Sequence, residues 1–487
     1  MIAGRNRDAK LASSTFGLLT REELYRIHST TIEILEKTGV KVDSEDALRL
    51  LSDAGAIVDT RSHLVKIPES LIGLVVKKPS KCTMLHGRDS AHDVIFGDGR
   101  VYVMTDSTGI KTIDVDTGHV RASTKQDLAD SSRLVDGLEN IQVFSTIVDA
   151  LDCPQEVMRL EEFESMVSNT SKNICHGAKG RVEAANLVRM ASAVAGGTEE
   201  LRKRPMFHLM QTPVSPLLHD KENTDGVLEA AKYGIPISIL NMPQGGLTAP
   251  LTMAGTLALS NAEVLSGMLL ARLVNPEVPL IYGSCATVAD VRIKDYTLVC
   301  GLVESGLIAA ANAQLAHYYG YPCEMGLTFG SILDDWISPL RLITAVMIAS
   351  ARADILFGVG LVNRSTTLSF EQLVIDNDLA GIVLREAKGI EVNDETLALD
   401  VISRVKPGGN FMSQEHTIKH LERELYIPRM FDKVDPKDLL FVAKERAKQI
   451  LVTHKPEPLD EEIKHELRTI IQDAKRNASA DPSPSRS

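Results

Sequence analysis

The sequence predicts an α/β protein built on a (β/α)8 barrel of the TIM type, with helical and β-hairpin additions before the barrel and helices after it. Two observations lead to this fold. From about residue 124, short apolar segments alternate with longer amphipathic ones, as strand–helix units do in such barrels. The G-x-G-x-x-G fingerprint that a dinucleotide-binding doubly wound sheet carries after its first strand is missing from the chain.

The predicted barrel strands are short runs rich in apolar and β-branched residues. They cover residues 141–148, 173–177, 206–212, 237–243, 280–285 and 354–360, and a weaker candidate covers 323–330. The helix before the first of these runs begins at Thr124, where Asp127 completes a capping box.

Before the barrel, the pattern indicates a helical layer and a β-hairpin. Thr20 and Glu23 form a capping box at the start of a helix that Gly39 ends, and a second short helix covers residues 44–54. Residues 100–120 change to a period of two with turn residues between the runs, which is typical of a hairpin. The predicted division is residues 1–123 for the helical layer and hairpin, 124–432 for the barrel, 433–476 for charged helices, and 477–487 for a Ser- and Pro-rich disordered tail.

The composition is that of a globular protein, with 44% hydrophobic and 24% charged residues. A net charge of −12 and the lack of a long basic block argue against nucleic-acid binding. The first ten residues lack the apolar core of a signal peptide, and Glu304 interrupts the apolar run 296–316, so we expect no membrane span. Six cysteines without paired spacing fit a reducing compartment, and we expect a cytoplasmic location.

Active sites of βα barrels lie at the carboxyl ends of the strands. This rule selects Asp149, His176, Gln211, Thr212, Gln244, Ser284 and Gly360. His176 is also compatible with a core histidine, and Asp149 with a helix cap. The run Pro243–Pro250, with two glycines and two prolines directly after a strand, predicts a shaped loop at a binding surface.

Several catalytic motifs are missing from the sequence. It contains no C-x-x-C, no H-E-x-x-H, no His/Cys cluster at zinc spacing, no P-loop and no G-x-S-x-G elbow, so we expect neither metal nor nucleotide on this chain. Lys172 and Lys179 flank a strand and raise the alternative of a Schiff-base or metal-assisted barrel lyase. Both lie among polar residues, so we expect solvated lysines.

Several long segments resemble the trimethylamine methyltransferase family. They are LTREELYRIHSTTIEILEKTGVKVDSEDALRLL (19–51), IPESLI (67–72), GRVYVMTDSTGIKTIDVDTGHVRAST (99–124), MPQGGLTAPLTMAGTLALSNAEVLSGMLLARLVNP (242–276), IYGSCATVADVR (281–292), AQLAHYYGYP (313–322) and QEHTIKH (414–420). The resemblance covers roughly residues 18–432. It implies a barrel that receives a methylated amine and a partner protein carrying cob(I)alamin.

Two departures from the family pattern shift the implied substrate. The Asp-Ser-Lys or Asp-Ala-Lys element of the family is replaced by residues 328–336, and pyrrolysine, which the trimethylamine enzymes use, is missing from the sequence. Members without pyrrolysine act on quaternary amines, so the resemblance favours glycine betaine, with proline betaine, carnitine and choline carrying the same kind of head group. A quaternary ammonium leaves as a neutral amine, so the protein mainly has to position it in a water-poor pocket.

The resemblance and the barrel rule together give the candidate site residues. We expect His176 and His416 as catalytic residues, and Gly245, Gly246 and Ser284 on loops that face the corrinoid. The candidate substrate-binding residues, chosen as cation cage, counter-charge or carboxylate donors, are Asp149, Gln211, His219, Gln244, Phe329, Asp334, Trp336 and Arg364.

The cofactor is expected on a partner protein. None of the 13 histidines has an Asp two residues before it, as the D-x-H-x-x-G motif of cobalamin-binding proteins requires. The predicted partners are therefore a cognate corrinoid protein, a small quaternary amine and, for this fold, a second copy of the chain. A non-catalytic betaine-binding barrel is a further alternative.

Overall fold

A computed structural model describes residues 17–79, 84–292, 302–326, 339–428 and 438–480. Its centre is a closed barrel of eight parallel strands that follow one another in chain order. We number them β1 (Tyr102–Thr105), β2 (Val143–Ser145), β3 (Asn173–His176), β4 (Phe207–Gln211), β5 (Ile237–Asn241), β6 (Leu280–Ser284), β7 (Cys323–Gly326) and β8 (Ile355–Val359). Pairing of β8 with β1 closes the ring, and the predicted barrel is confirmed.

A long helix follows each strand and covers the outside of the barrel. In chain order these helices are Lys125–Asp136, Met158–Asn169, Gly180–Ala195, Lys221–Tyr233, Met253–Val274, Leu302–Tyr319, Pro339–Ser350 and Phe370–Lys388, with a short helix Thr198–Lys203 after the third. The strands are almost completely buried because one face meets the helices and the other meets the barrel interior. The predicted strands 141–148 to 354–360 all contain barrel strands, including the weak candidate at 323–330.

The first barrel strand corrects the sequence prediction. Residues 100–105 are predicted as part of a hairpin, but Tyr102–Thr105 pairs in parallel with both β8 and β2. All four of its residues are buried, so it lacks the half-exposed pattern of a surface hairpin. The hairpin itself is shorter and lies further on, with Lys111–Ile113 antiparallel to Val120–Ala122. The barrel therefore begins before residue 124.

A small hairpin closes the amino-terminal end of the barrel. Its strands Met84–Leu85 and Val94–Ile95 are antiparallel, and Leu85, Val94 and Phe96 pack in one cluster with barrel-facing Met104 and Ile355. The Ile95 amide donates to the hydroxyl of Tyr102 at 3.1 Å. The hairpin fills the amino-terminal end, so the space within the barrel opens toward the carboxyl ends of the strands.

The N-terminal layer packs beside the barrel. Helix Arg21–Glu33 carries the predicted capping box and continues as a π-helical turn to Thr38. Helices Glu45–Ala54 and Glu69–Val76 and a four-stranded sheet complete the layer. The sheet strands, in spatial order, are Leu218–His219, Val40–Val42, Leu64–Lys66 and Ile57–Asp59.

One described helix, Met253–Val274, is long and apolar enough to cross a membrane. In this fold 83% of its apolar window is buried inside the protein. Thr31 of the N-terminal layer donates to the carbonyl of Ala258 at 3.1 Å, and Asn261 donates to Thr31 at 3.0 Å. The helix is therefore apolar because it is sandwiched between the barrel and the N-terminal layer.

The chain after the barrel is helical. Short helices cover Asp394–Leu397, Leu399–Val405 and Glu415–Glu424, and the two predicted charged helices are Leu439–Thr453 and Glu461–Ala480. Helix Leu439–Thr453 packs against Phe370–Lys388, and Glu461–Ala480 packs against Gly180–Ala195. The described chain remains helical to residue 480, which includes the start of the predicted disordered tail.

The barrel interior has no room for a side chain at Gly326. A Cβ added there would overlap the sulfur of Cys285 and lie 2.9 Å from the ring of Phe357. We therefore expect Gly326→Ala to lower the free energy of unfolding by about 1–3 kcal/mol, as overpacked cores do. Gly73→Ala is the matched control, because its Cβ meets only the flexible Lys77 side chain at 3.6 Å and helix propensity favours Ala by about 1 kcal/mol. Urea unfolding of both variants checks this, and equal stability of the two would contradict it.

Candidate active site

A cavity of about 440 Å³ opens at the carboxyl ends of the barrel strands. Among the described residues, every barrel strand except β7 contributes to its wall, either directly or through the residues that follow the strand. The residues that line it are Asp106, Ser107, Thr108, Ser145, Thr146, Arg159, Cys175, His176, Gly177, Met210, Thr212, Asn223, Leu240, Met242, Gln244, Cys285, Thr287, Phe357, Arg364 and Ser365. The cavity is large enough for a small organic substrate.

Asp106 is a buried carboxyl group in the cavity wall, directly after β1. Its Oδ1 accepts the Ser107 amide at 2.8 Å, and its Oδ2 has no hydrogen-bond partner among the described residues. Burial raises the pKa of Asp106 to about 7, although Ser365, the Ser107 amide and Arg341 oppose the shift. The group is therefore poised to become charged near neutral pH when a cation approaches it.

His176 lies at the end of β3 with both ring nitrogens occupied. Nε2 lies 2.8 Å from the carbonyl of Arg159, so it carries the proton. Nδ1 accepts the Gly177 amide at 3.0 Å and lies 2.8 Å from the hydroxyl of Thr146. Burial and the nearby Arg159 lower the pKa of His176 to about 3. The ring is a neutral, fixed part of the wall rather than a free proton carrier.

Arg159 is held in place by two carboxylates. Its guanidinium lies 3.1 Å from Asp149 and 3.0 Å from Glu162. Burial raises the pKa of Glu162 to about 7, against the opposite effect of Arg159. Asp149, a predicted substrate-binding residue, does not line the cavity and instead orients Arg159.

Arg364 reaches the cavity from a strained turn after β8. Asn363, Arg364 and Ser365 have φ values of 51°, 61° and 57°, a left-handed conformation that residues other than glycine rarely adopt. Arg364 lines the cavity, and within the described part of the chain it forms no ion pair with an acidic side chain. The turn therefore presents a guanidinium that is available to an anionic ligand group.

The remaining cavity surface is mainly apolar and sulfur-rich. Met210, Leu240, Met242, Cys285 and Phe357 supply it. One side of the mouth is formed by the predicted loop, whose residues Gln244–Gly245 pair in parallel with Thr287–Val288. A Cβ on Gly245 would lie 2.9 Å from the Thr256 hydroxyl, so this position requires glycine.

Three predicted site residues face the outer layers of the fold. Gln211 follows barrel-facing Met210 and therefore points away from the cavity, since strand side chains alternate. Ser284 is fully buried and bonds Asn241 at 3.1 Å. His219 lies in the N-terminal sheet with its Nε2 2.8 Å from Ser266. The structure brings none of these three to the cavity.

His416 lies far along the chain, outside the cavity. It is in helix Glu415–Glu424, exposed, with its Nε2 3.3 Å from the carbonyl of Glu395. Phe329, Asp334 and Trp336 lie outside the described residues. Of the thirteen predicted site residues, His176, Gln244 and Arg364 line the cavity, and Gly245 and Gly246 lie on the loop beside it.

The two lysines of the lyase alternative lie away from the cavity wall. Lys179 is exposed, as predicted. Lys172 corrects the prediction, because it is buried at the start of β3 and its ammonium donates to the carbonyls of Val135, Leu138 and Ile141 at 2.5–2.6 Å. Burial lowers the pKa of Lys172 to about 7. Its ammonium binds carbonyl groups at and just after the C-terminal end of helix Lys125–Asp136. Lys172 therefore has a structural role at the end of the barrel opposite to the cavity.

Asp106 is not among the residues predicted from the sequence, because Tyr102–Thr105 is not predicted as a barrel strand. The same rule that selects residues at the carboxyl ends of strands selects Asp106 once Tyr102–Thr105 is a barrel strand. Arg159 is different, because it lies at the start of helix Met158–Asn169, and only the tertiary structure shows that its side chain reaches the cavity wall.

Comparison with known proteins identifies the family. The profile of the trimethylamine methyltransferase family matches residues 6–480. The chain belongs to this family. It is 34% identical over 470 residues to trimethylamine methyltransferase from Desulfitobacterium hafniense, covering 94% of both chains. It is 29% identical over 471 residues to glycine betaine methyltransferase from another strain of that organism, covering 94% of this chain and 96% of the relative.

A solved structure supports the fold. The monomethylamine methyltransferase of Methanosarcina barkeri superposes with a TM-score of 0.52 at 11% identity, covering 98% of this chain and 92% of that chain. At this identity the likeness concerns the barrel and its surrounding layers.

The pKa of Asp106 gives a test of the site electrostatics. The pKa of Asp106 in the folded state, about 7, lies above its ordinary value of 3.8. At pH values between these two, the folded protein keeps a proton on Asp106 that the unfolded chain has lost. Stability from this group is fully present below about pH 4 and is lost as pH rises through about 7, by up to about 4 kcal/mol. We expect Asp106→Asn to remove this loss, so the variant gains stability relative to the wild type at pH 8 compared with pH 4.5.

The measurement is the free energy of unfolding of both proteins at the two pH values. Glu162 and Glu263 also have raised pKa values, so only the difference between variant and wild type is informative. Asp53→Asn, at an exposed position, is the control for replacing an aspartate with asparagine on the surface. An Asp106→Asn protein with the wild-type pH dependence would show that this carboxyl titrates normally.

Proposed function

We propose that the protein transfers a methyl group from a quaternary amine, with glycine betaine as the first candidate, to the cob(I)alamin of a partner corrinoid protein. The products are methylcob(III)alamin and a tertiary amine, N,N-dimethylglycine for glycine betaine. The C–N bond breaks with its electron pair on nitrogen, and the electron pair of cobalt forms the new bond to carbon. No proton is required, which agrees with a cavity whose histidine is neutral and fully bonded.

The observation that carries the proposal is the pair of complementary charges in one cavity. Arg364 offers an unpaired guanidinium within the described residues, and Asp106 offers a buried carboxyl with a free oxygen. A betaine is a zwitterion and needs both a donor for its carboxylate and a counter-charge for its ammonium. Phe357 in the same wall adds an aromatic face, to which quaternary ammonium groups bind favourably.

Two sequence features support a quaternary amine rather than trimethylamine. The chain is built from the standard residues, without pyrrolysine. The segment 328–336 departs from the family pattern in the region after β7. The identities of 34% and 29% to the trimethylamine and glycine betaine enzymes are close to each other, so identity alone does not favour either substrate.

In this mechanism the residues of the chain act by positioning the substrate. Asp106 and Arg364 fix the two charged ends, and Met210, Leu240 and Met242 exclude water around the methyl groups. The enzyme holds the methyl carbon in line for attack. The chemical step therefore avoids the loss of translational and rotational freedom that the same reaction in solution would require. Arg159, held by Asp149 and Glu162, keeps the backbone carbonyl that fixes His176 in place.

The mouth of the barrel offers an apolar surface to the partner. Large side chains that are at least about one-third exposed surround it on the loops after β4, β5 and β6. They are Val214, Met242, Leu247, Leu251, Met253 and Val291. Leu251 and Val291 both approach Gly246, so the loop places them side by side. A corrinoid protein must cover this mouth for its cobalt to reach a methyl group in the cavity.

A methyl-transfer assay tests the proposed substrate class. Protein is mixed with free cob(I)alamin and glycine betaine, proline betaine, carnitine, choline, tetramethylammonium or trimethylamine, and methylcob(III)alamin formation is followed by its absorbance. We expect turnover of at least one carboxylate-bearing quaternary amine. In the wild-type assay, binding of betaines without methyl transfer would favour a non-catalytic binding protein, and turnover of trimethylamine alone would contradict a quaternary amine as the substrate.

In the same assay, Arg364→Gln should lower kcat/KM for glycine betaine about 10- to 100-fold, which is the cost of a lost charged hydrogen bond.

Choline and tetramethylammonium lack the carboxylate and provide the internal comparison, since their kcat/KM should change little in Arg364→Gln. Arg189→Gln is the matched control, because Arg189 is exposed and bonds Asn186 on a surface helix. An equal loss for betaine and choline would show that Arg364 acts on the fold of the turn rather than on the carboxylate.

A charged substitution at the centre of this apolar surface tests whether the corrinoid protein docks at the mouth. Leu251 is 57% exposed, so Leu251→Asp should preserve folding and raise the KM for the corrinoid protein about tenfold or more, as central interface residues do. The rate with free cob(I)alamin should stay at the wild-type level. Val452→Asp is the control, because Val452 is an apolar residue that is 78% exposed far from the mouth. Its neighbour His454 bonds Asp136 at the other end of the barrel. Equal effects of the two substitutions would contradict docking at the mouth.

A further inference from the structure

Three metal-ligating side chains meet inside the barrel, below the substrate cavity. They are Cys175 on β3, His208 on β4 and Glu324 on β7, and all three are fully buried. Cys175 and His208 are paired neighbours on adjacent strands, and Glu324 reaches toward them from across the barrel axis. Their ligand atoms all lie within 4.8 Å of one another.

Three polar atoms of this cluster lack partners among the described residues. His208 Nε2 and both carboxylate oxygens of Glu324 have no hydrogen bond to any described residue. His208 Nε2 and Glu324 Oε2 are 3.8 Å apart, which is too far for a hydrogen bond. Buried polar groups without partners are costly, and a buried carboxylate most of all. The cluster therefore needs a further group between its members.

The imidazole of His208 is held in the form that a metal ligand requires. Its Nδ1 lies 2.9 Å from Asn173 Oδ1. The amide nitrogen of Asn173 donates to the carbonyls of His86 at 2.8 Å and Pro205 at 3.3 Å, which fixes Oδ1 toward His208. Nδ1 therefore carries the proton, and the lone pair of Nε2 points into the cluster. Metal-binding histidines are oriented by such a partner on their other nitrogen.

We propose that Cys175, His208 and Glu324 bind one divalent transition-metal ion, zinc by preference, with an open fourth position toward the substrate cavity. Sulfur, imidazole nitrogen and carboxylate oxygen together suit zinc, whereas magnesium and calcium select all-oxygen sites. In a tetrahedral zinc site the ligand atoms are about 3.3–3.8 Å apart, close to the separation of His208 and Glu324. Thiolate and carboxylate also balance the two charges of the ion.

The open position follows from the place of Cys175. This residue lines the cavity, while His208 and Glu324 lie below its floor. Three protein ligands leave one position of a tetrahedral ion for water or another small ligand, as in catalytic zinc sites. The ion would therefore lie between the closed amino-terminal half of the barrel and the cavity. The inference is independent of which methyl donor the protein uses.

A second cluster of similar composition shows what distinguishes the site. His317, Cys323 and Asp354 also lie close together. There Asp354 accepts the backbone amides of Cys323 at 2.9 Å and Gly97 at 3.1 Å, and the side chain of His317 is 35% exposed. Its carboxylate is satisfied by the backbone, so this second cluster needs no ion.

The first test is metal content. The tag-free full-length protein is loaded with zinc, dialysed and analysed by mass spectrometry, and we expect about one zinc ion per chain. Cys175→Ser and Glu324→Gln should lose this zinc, and Cys323→Ser, a matched change of another buried barrel cysteine, should keep it. Wild-type protein without stoichiometric zinc, cobalt, nickel, manganese or ferrous iron would overturn the proposal, as would zinc retained by Cys175→Ser.

A second test uses cobalt in the chelator-treated wild-type protein and does not depend on folding of a variant. Cobalt bound here should give a thiolate-to-cobalt charge-transfer band and the intense visible bands of a tetrahedral site. Asn173→Ala should weaken cobalt affinity about 10- to 100-fold and keep the charge-transfer band, because Asn173 only orients His208. Added azide should change the visible bands, and unchanged bands would overturn the open position. Metal content and spectra are measured without a methyl donor, so their outcome is separate from that of the methyl-transfer assay.

Discussion

The closed barrel of parallel strands determines which side chains can reach the site. Successive side chains of a strand point alternately to the barrel interior and to the helices, and the carboxyl ends of all eight strands meet at one mouth. This alternation places Met210 in the cavity and Gln211 in the outer layer. It likewise places Cys285 in the cavity and Ser284 among the helices, where Ser284 bonds Asn241.

The amino-terminal end of the barrel is closed, so a ligand reaches the described cavity from the carboxyl ends of the strands. The hairpin with Leu85 and Val94 fills that end, so the described cavity opens where the loops after the strands lie. Buried polar groups inside the closed barrel must then find partners within the protein. Lys172 does so through three carbonyl groups, whereas His208 and Glu324 do not among the described residues. That difference separates a structural lysine from a candidate metal site.

Burial also sets the charge states around the cavity. It raises the pKa of Asp106 to about 7 and lowers that of His176 to about 3, because a low-dielectric environment disfavours the charged form of each group. A neutral histidine and a carboxyl group that ionises beside a cation suit a reaction in which a methyl group moves without a proton. The strained turn at Arg364 adds a positive charge at the same cavity. The site therefore combines opposite charges with an apolar wall.

The barrel fold, the capping boxes at Thr20 and Thr124 and the family were predictable from the sequence, because they depend on local periodicity and on long matching segments. Which residues face the cavity became clear only from the folded chain. Barrel strands are buried on both faces, so they show no polar–apolar alternation from which their inner face could be read. The same lack of alternation hid the barrel role of Tyr102–Thr105 and, with it, Asp106. Cys175 and His208 lie on adjacent paired strands, and only closure of the barrel brings Glu324 of β7 to them.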